Sequence, residues 1–159
     1  MLEAYGIEQL IDVRTIPKSR HNPQFGTEAL RGSLAAHDIE YFHSQDLGGL
    51  RRPKADSINT GWRNTSFRGY ADYMQTEEFA NALNKLAKEA LKQVTVIMCA
   101  EAVPWRCHRS MVADALVVDR WEVRHIMSKT AANEHKLTSF AKVERDRLYY
   151  PPEESSGPE

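Results

Sequence analysis

Val94 to Arg109 reads V-T-V-I-M-C-A-E-A-V-P-W-R-C-H-R, an apolar, β-branched run ending in Cys99 and Glu101, then a short loop into a helix. Its first half is strand-sized and its second half places both cysteines of the chain beside His108 and two arginines. Open α/β sheets bind ligands where a strand delivers polar groups to the start of a helix, because the free N–H groups of the helix face the crevice. The stretch therefore predicts both an α/β fold and the end of the sheet at which a site should lie.

The same alternation extends outward. Leu10 to Val13 and Ile39 to Phe42 are strand-like, and Val123 to Met127 alternates Val123, His125 and Met127 as a last strand. Helices are predicted between them. Thr27 is placed to cap one through Ala36, and Thr76 followed by Glu77 and Glu78 opens another, with Phe79, Leu83, Leu86 and Ala90 on one face. Cys107 to Val118 reads as a third helix and Ala131 to Val143 as a fourth. Strands separated by helices imply parallel pairing through crossovers. The expected fold is α/β: a mostly parallel sheet of about four strands covered by helices, a Rossmann-like three-layer arrangement in a single domain over residues 1–150. Residues 151–159, rich in Pro, Glu and Ser, predict a disordered tail.

At 159 residues, with 42% hydrophobic and 27% charged content, the chain is long enough for one real core. A formal net charge of −1 gives no global attraction to nucleic acid or anionic membrane, so such binding would need a local patch. No signal peptide or membrane span is apparent, and the expected location is cytoplasmic. Two cysteines in that compartment are expected to be free, reactive or metal-bound sooner than joined in a structural disulfide.

Several motifs then occur in one order: Asp12-Val13-Arg14 with Pro17, Ser19 and Arg20; Asn22-Pro23 and Phe25; Leu47-Gly48-Gly49; Phe67-Arg68-Gly69-Tyr70-Ala71 with Tyr73-Met74; Cys99-Ala100-Glu101; and Cys107-His108-Arg109. Together they resemble the uncharacterised family called domain of unknown function 488, from Tyr5 to about Ser128. The resemblance implies a small α/β fold and a site map without a reaction. Members usually begin with a strand and helix ahead of the Asp-Val-Arg strand, whereas this chain opens at Met1-Leu2-Glu3-Ala4-Tyr5-Gly6, inside that helix. Loss of a central first strand would leave exposed edges open to pairing with another copy of the chain.

Three candidate site elements follow. In the first, Arg14, Ser19 and Arg20, with Lys18 and His21, form a loop suited to an anion, since guanidinium groups present planar forks of donors; the alternative is a solvated loop with Asp12 paired to an arginine. The second is Gly48 to Arg68, where cations alternate with Trp62 and Phe67. It reads as a long loop able to act as a lid, with Arg68 in the family motif and Arg51, Arg52 and Lys54 left to solvent. In the third, Cys107 falls in the first turn of its helix, where the dipole favours a thiolate, and His108 supplies an acid, base or ligand. Adjacent helical positions point about 100° apart, so Cys107 and His108 are not expected to form a nucleophile–base pair. Glu101 is the best general-base candidate, and Arg109 a further anion ligand.

The function expected from these residues is a polar cleft at the strand ends that binds an anionic, phosphate- or nucleotide-like small molecule through Arg14, Ser19, Arg20, Arg68 and Arg109. Glu101, Cys107 and His108 would be the reacting groups of a hydrolase or transferase. No Gly-x-Gly-x-x-Gly follows a strand and no Gly-rich lysine loop is present, so no cofactor is named. One alternative is a metal-binding or thiol redox protein using Cys99, Cys107 and His108, with His21 and His43 as further ligands, although seven residues between the cysteines fit no familiar zinc knuckle. Another is a non-catalytic nucleotide or nucleic-acid binding module.

Overall fold

A computed structural model describes residues 1–17, 22–100 and 107–153. Three strands, β1 (Gln9–Asp12), β2 (Glu40–His43) and β3 (Thr95–Met98), form a parallel sheet in the order β2-β1-β3. β1 is central, so all four of its residues are buried, as expected for a strand paired on both edges and covered on both faces. Leu10 joins Leu30 and Leu34 of helix α1 (Thr27–Ala35), with Ile39 and Tyr41, on one face. Ile11 and Val13 join Phe79, Ala82 and Leu86 of α3 (Glu77–Lys92), and Met111 and Val112 of α4 (Arg109–Val118), on the other. Between β2 and α3 runs α2 (Thr65–Tyr73), capped by the Asn64 side chain, which accepts from the N–H groups of Ser66 and Phe67.

The Thr76 hydroxyl caps α3 through the Phe79 N–H, with Glu77 and Glu78 in the first turn. Thr27 does not cap α1: it is the first helical residue, Gly26 holds the cap position, and the Thr27 hydroxyl donates to the Pro17 carbonyl.

Two expectations for the carboxyl-terminal third are corrected. The last predicted strand does not join the parallel sheet, which has three strands among the described residues instead of four. β4 (Arg124–Ile126) pairs antiparallel with β5 (Ala132–Glu134). The helix predicted from Ala131 to Val143 is also absent: β5 takes its start and β6 (Lys142–Glu144) its end, and β6 turns through Arg145 and Asp146, both at positive φ, into β7 (Arg147–Tyr149). The physical reason lies outside the segment. The Thr138 N–H and hydroxyl both go to Asp114 of α4, and the His135 ring bonds to it too, so tertiary hydrogen bonds prevail over the helical propensity of Ala131, Ala132, Glu134, Lys136 and Leu137.

The chain then closes on itself. Tyr150, fully buried, donates its N–H to Asn59 Oδ1 at 2.9 Å, accepts from the Gly61 N–H at 3.0 Å and packs its ring against Trp62 and Phe140. The tail expectation falls mainly on residues 154–159, outside those described.

Candidate functional site

At the carboxyl ends of the parallel strands, Asp12 and Arg14 are placed back to back. Arg14 donates from Nε and Nη2 to the Asp12 carboxylate, at 2.9 and 2.6 Å, and from Nη2 to the Phe25 carbonyl. Tyr41 of β2 adds its hydroxyl to Asp12 Oδ2 at 2.6 Å, and the His43 ring meets the Arg14 carbonyl. Burial alone would raise the Asp12 pKa; the hydrogen bonds from Arg14 and Tyr41, with the guanidinium charge, reverse this and hold the carboxyl below its ordinary value. Arg14 is 6% exposed, so the structure places it inside a buried ion pair with Asp12. Ser19, Arg20 and His21 lie outside the described residues, as do Glu101 and Arg106.

His108 lies across the ends of β1 and β3. Its Nε2 is 3.0 Å from the Val13 carbonyl, and its ring lies 4.9 Å from that of Tyr70. Gly49 passes so close that a Cβ there would stand 3.1 Å from His108 Nδ1. Burial lowers the His108 pKa, the Val13 and Leu47 carbonyls oppose that, and the charges of Arg109 and Arg51 reinforce it. The ring is therefore held neutral near pH 7, with Nε2 facing the Val13 carbonyl.

Cys107 does not lie in the helical turn predicted for it. α4 begins at Arg109 with His108 at the cap position, so Cys107 precedes the helix, and its Sγ comes within 3.6 Å of His108 Nδ1. The helical angle that would have kept the two apart does not apply outside a helix. The two cysteines are brought together: Cys99, just past β3, and Cys107 place their sulfur atoms side by side, with Cα atoms 7.3 Å apart. The sequence could not show this, because β3 and the start of α4 have to fold before the two side chains meet. Among the described residues no group of three or more His, Cys, Asp or Glu is placed to hold a metal ion.

The predicted lid is pinned. The Asp72 carboxylate of α2 accepts from the Lys54 N–H, the Ser57 hydroxyl and the Asn59 amide, while Trp62 and Phe67 pack edge to face against the core. Arg51 is not left to solvent, since its guanidinium stacks 3.6 Å from the centre of the Tyr73 ring. Arg68, half-buried, donates from Nε to the Trp62 carbonyl. Arg109, in the first turn of α4, is partly desolvated, and its charge is felt at both His108 and His125. A groove of about 780 Å³ starts at His43 and Asp46, at the end of β2, and runs along Lys85 and Leu91 of α3; Arg14, Arg68 and Arg109 do not line it.

Sequence reasoning missed a second polar centre. Asp114, fully buried in α4, accepts from His135 at 2.7 Å, from the Thr138 N–H and hydroxyl, and from the Tyr150 hydroxyl at 2.7 Å. His135 Nδ1 is 2.7 Å from His125 Nε2. The available signal was a carboxylate inside the apolar run Met111 to Leu116, a residue type rarely buried without partners.

Fold and site together define a small α/β domain with a polar centre at the carboxyl ends of three parallel strands. The chain belongs to the family described as domain of unknown function DUF488, which it matches over residues 1–116. Comparison with curated proteins and with solved structures found no match. Among the described residues no helix is long and apolar enough to cross a membrane.

Proposed function

We propose that the domain, a Rossmann-like three-layer unit acting in the cytoplasm, binds an anionic, phosphate- or nucleotide-like small molecule at the strand ends as a hydrolase or transferase. The observation that carries this is the Arg109 guanidinium, partly desolvated at the first turn of α4 beside a neutral His108. A cation withdrawn from water next to the carboxyl end of a parallel sheet is a favourable seat for negative charge. Arg68, Ser19 and Arg20 complete the anion-binding set in this proposal. Arg14, committed to Asp12 and Phe25, would hold the loop in place, and Glu101 with His108 would supply acid–base groups.

Inorganic phosphate or a nucleotide at ten times its Kd should stabilise the fold by about 1.4 kcal/mol, a rise of about 3–6 °C in Tm. Arg20→Ala combined with Arg109→Ala should abolish the rise, while exposed Arg31→Ala should keep it. An undiminished shift in the double variant would refute the assignment.

The side-by-side sulfurs of Cys99 and Cys107 favour one second function, thiol–disulfide exchange at the same strand end. In the oxidised pair, an external dithiol would break the S–S bond, giving up two electrons and two protons to the protein sulfurs and leaving as its own disulfide. Reduction should expose two alkylatable thiols where there were none, and lower stability by about 2–3 kcal/mol on the chain-entropy account of so short a loop. Two thiols that remain alkylatable after treatment with an oxidised dithiol would rule this out.

A further inference from the structure

The arrangement of Asp114, His135 and His125 runs in one direction. Asp114 takes hydrogen bonds at both oxygens, and those from the Thr138 N–H and the Tyr150 hydroxyl come from groups that donate; burial keeps Tyr150 a phenol by pushing its pKa up, and the neighbouring Asp114 adds to this. His135, with only 7% of its side chain exposed, therefore gives Asp114 its Nε2 proton. In the neutral ring, Nδ1 then has no proton and must accept from His125, which fixes the His125 proton on Nε2. A lone pair is left on His125 Nδ1, which makes no hydrogen bond to another described residue. His125 itself is half-buried, on the short strand β4, and it feels the charge of Arg109. Both histidines lie beyond the residues that match the family.

We propose that Asp114, His135 and His125 form a proton relay whose outer end, His125 Nδ1, is the general base that activates a hydroxyl or water for attack on an anionic ester. The anionic character of that ester rests on the proposed function above, through Arg109; the relay does not. In the step, the nucleophile's O–H bond breaks and its proton joins His125 Nδ1. The His125 Nε2 proton passes to His135 Nδ1, and the positive charge comes to rest on His135 against the Asp114 carboxylate. The freed oxygen lone pair forms the new bond to carbon or phosphorus, and the proton returns along the same line to the departing oxygen. His125 stays a free base at neutral pH because burial, then the neighbouring His135 and Arg109, push its pKa down to about 4. Asp114 and His135 are positioning residues: they fix the tautomer and receive the charge.

The test uses the full chain and the neutral ester p-nitrophenyl acetate, whose cleavage does not depend on anion binding. His125→Gln should lose at least tenfold in cleavage rate. His135→Gln should lose as much with little change in Tm, because an amide can accept from His125 and donate to Asp114 but cannot carry the proton; a purely structural His135 would tolerate it. Wild-type rates in both variants would overturn the relay. If His135→Gln fails to fold, two-bond proton–nitrogen NMR of the wild type decides, and a proton on His125 Nδ1 would be equally fatal. Inorganic phosphate should inhibit the wild type. Cleavage that depends on His125 but ignores phosphate would overturn the anionic substrate class and leave the relay standing.

Discussion

Arg14→Ala should cost the domain about 3–5 kcal/mol, a fall in Tm on the order of 10 °C, because it removes one member of a buried ion pair and leaves the other in place. Asp12 is fully buried, and without the guanidinium it keeps only the Tyr41 hydroxyl and the backbone N–H of residue 14. The pH dependence should carry the same signature. The native Asp12 pKa lies below its ordinary 3.8, so its contribution to stability is complete above that value and is lost as pH falls through the lowered native value. In Arg14→Ala, burial would prevail and raise the Asp12 pKa, so acidification would favour the folded variant and narrow its gap to wild type. Urea melts at neutral pH and below pH 4 measure both. A neutral-pH loss under 1 kcal/mol, or a gap that widens in acid, would show that the pair is not the strut described here.

Gly69→Ala should have the opposite sign to its helical propensity. In an open helix the change gains up to about 1 kcal/mol. At Gly69, in α2, the new Cβ would run into the Arg51 carbonyl oxygen and stand 2.6 Å from its carbon and 2.8 Å from the Arg52 carbonyl carbon, all of them backbone atoms. Overpacking against backbone should cost about 3 kcal/mol. Gly32 of α1 is the matched control: it is exposed, a Cβ added there would meet nothing within 4 Å, and alanine should stabilise. Equal Tm changes in the two variants would show that the loop does not pack on α2 as described.

The parallel core was legible because it is written locally. Val94 to Cys99 and Leu10 to Val13 are short apolar runs between helical periods, and Thr76 with two acids behind it can begin only one kind of element. The last third was not, because what decides it is distant in sequence. Ala131 to Val143 has enough apolar spacing to pass for a helix until Asp114 takes the backbone N–H and hydroxyl of Thr138. The same distance hid part of the site. That Arg14 pairs with Asp12 could be stated from sequence only as an alternative, since the two residues must first reach the end of a strand. His125 looked like one position in an alternating strand, and its connection to Asp114 exists only through His135.

Tyr150 also sets the order in which the molecule can mature. Its hydrogen bond to Asn59 spans 91 residues, and its ring covers Trp62, so the cluster beneath it stays open to water until nearly the whole described chain has been synthesised. The central strand waits in the same way for a partner 86 positions later, across the Gln9–Thr95 register. A nascent chain on the ribosome would carry this apolar surface unclosed for most of its synthesis, and such exposure is what holding chaperones recognise. Truncation ahead of Tyr150 would therefore leave the Trp62 cluster uncovered, although it would spare every residue that matches the family.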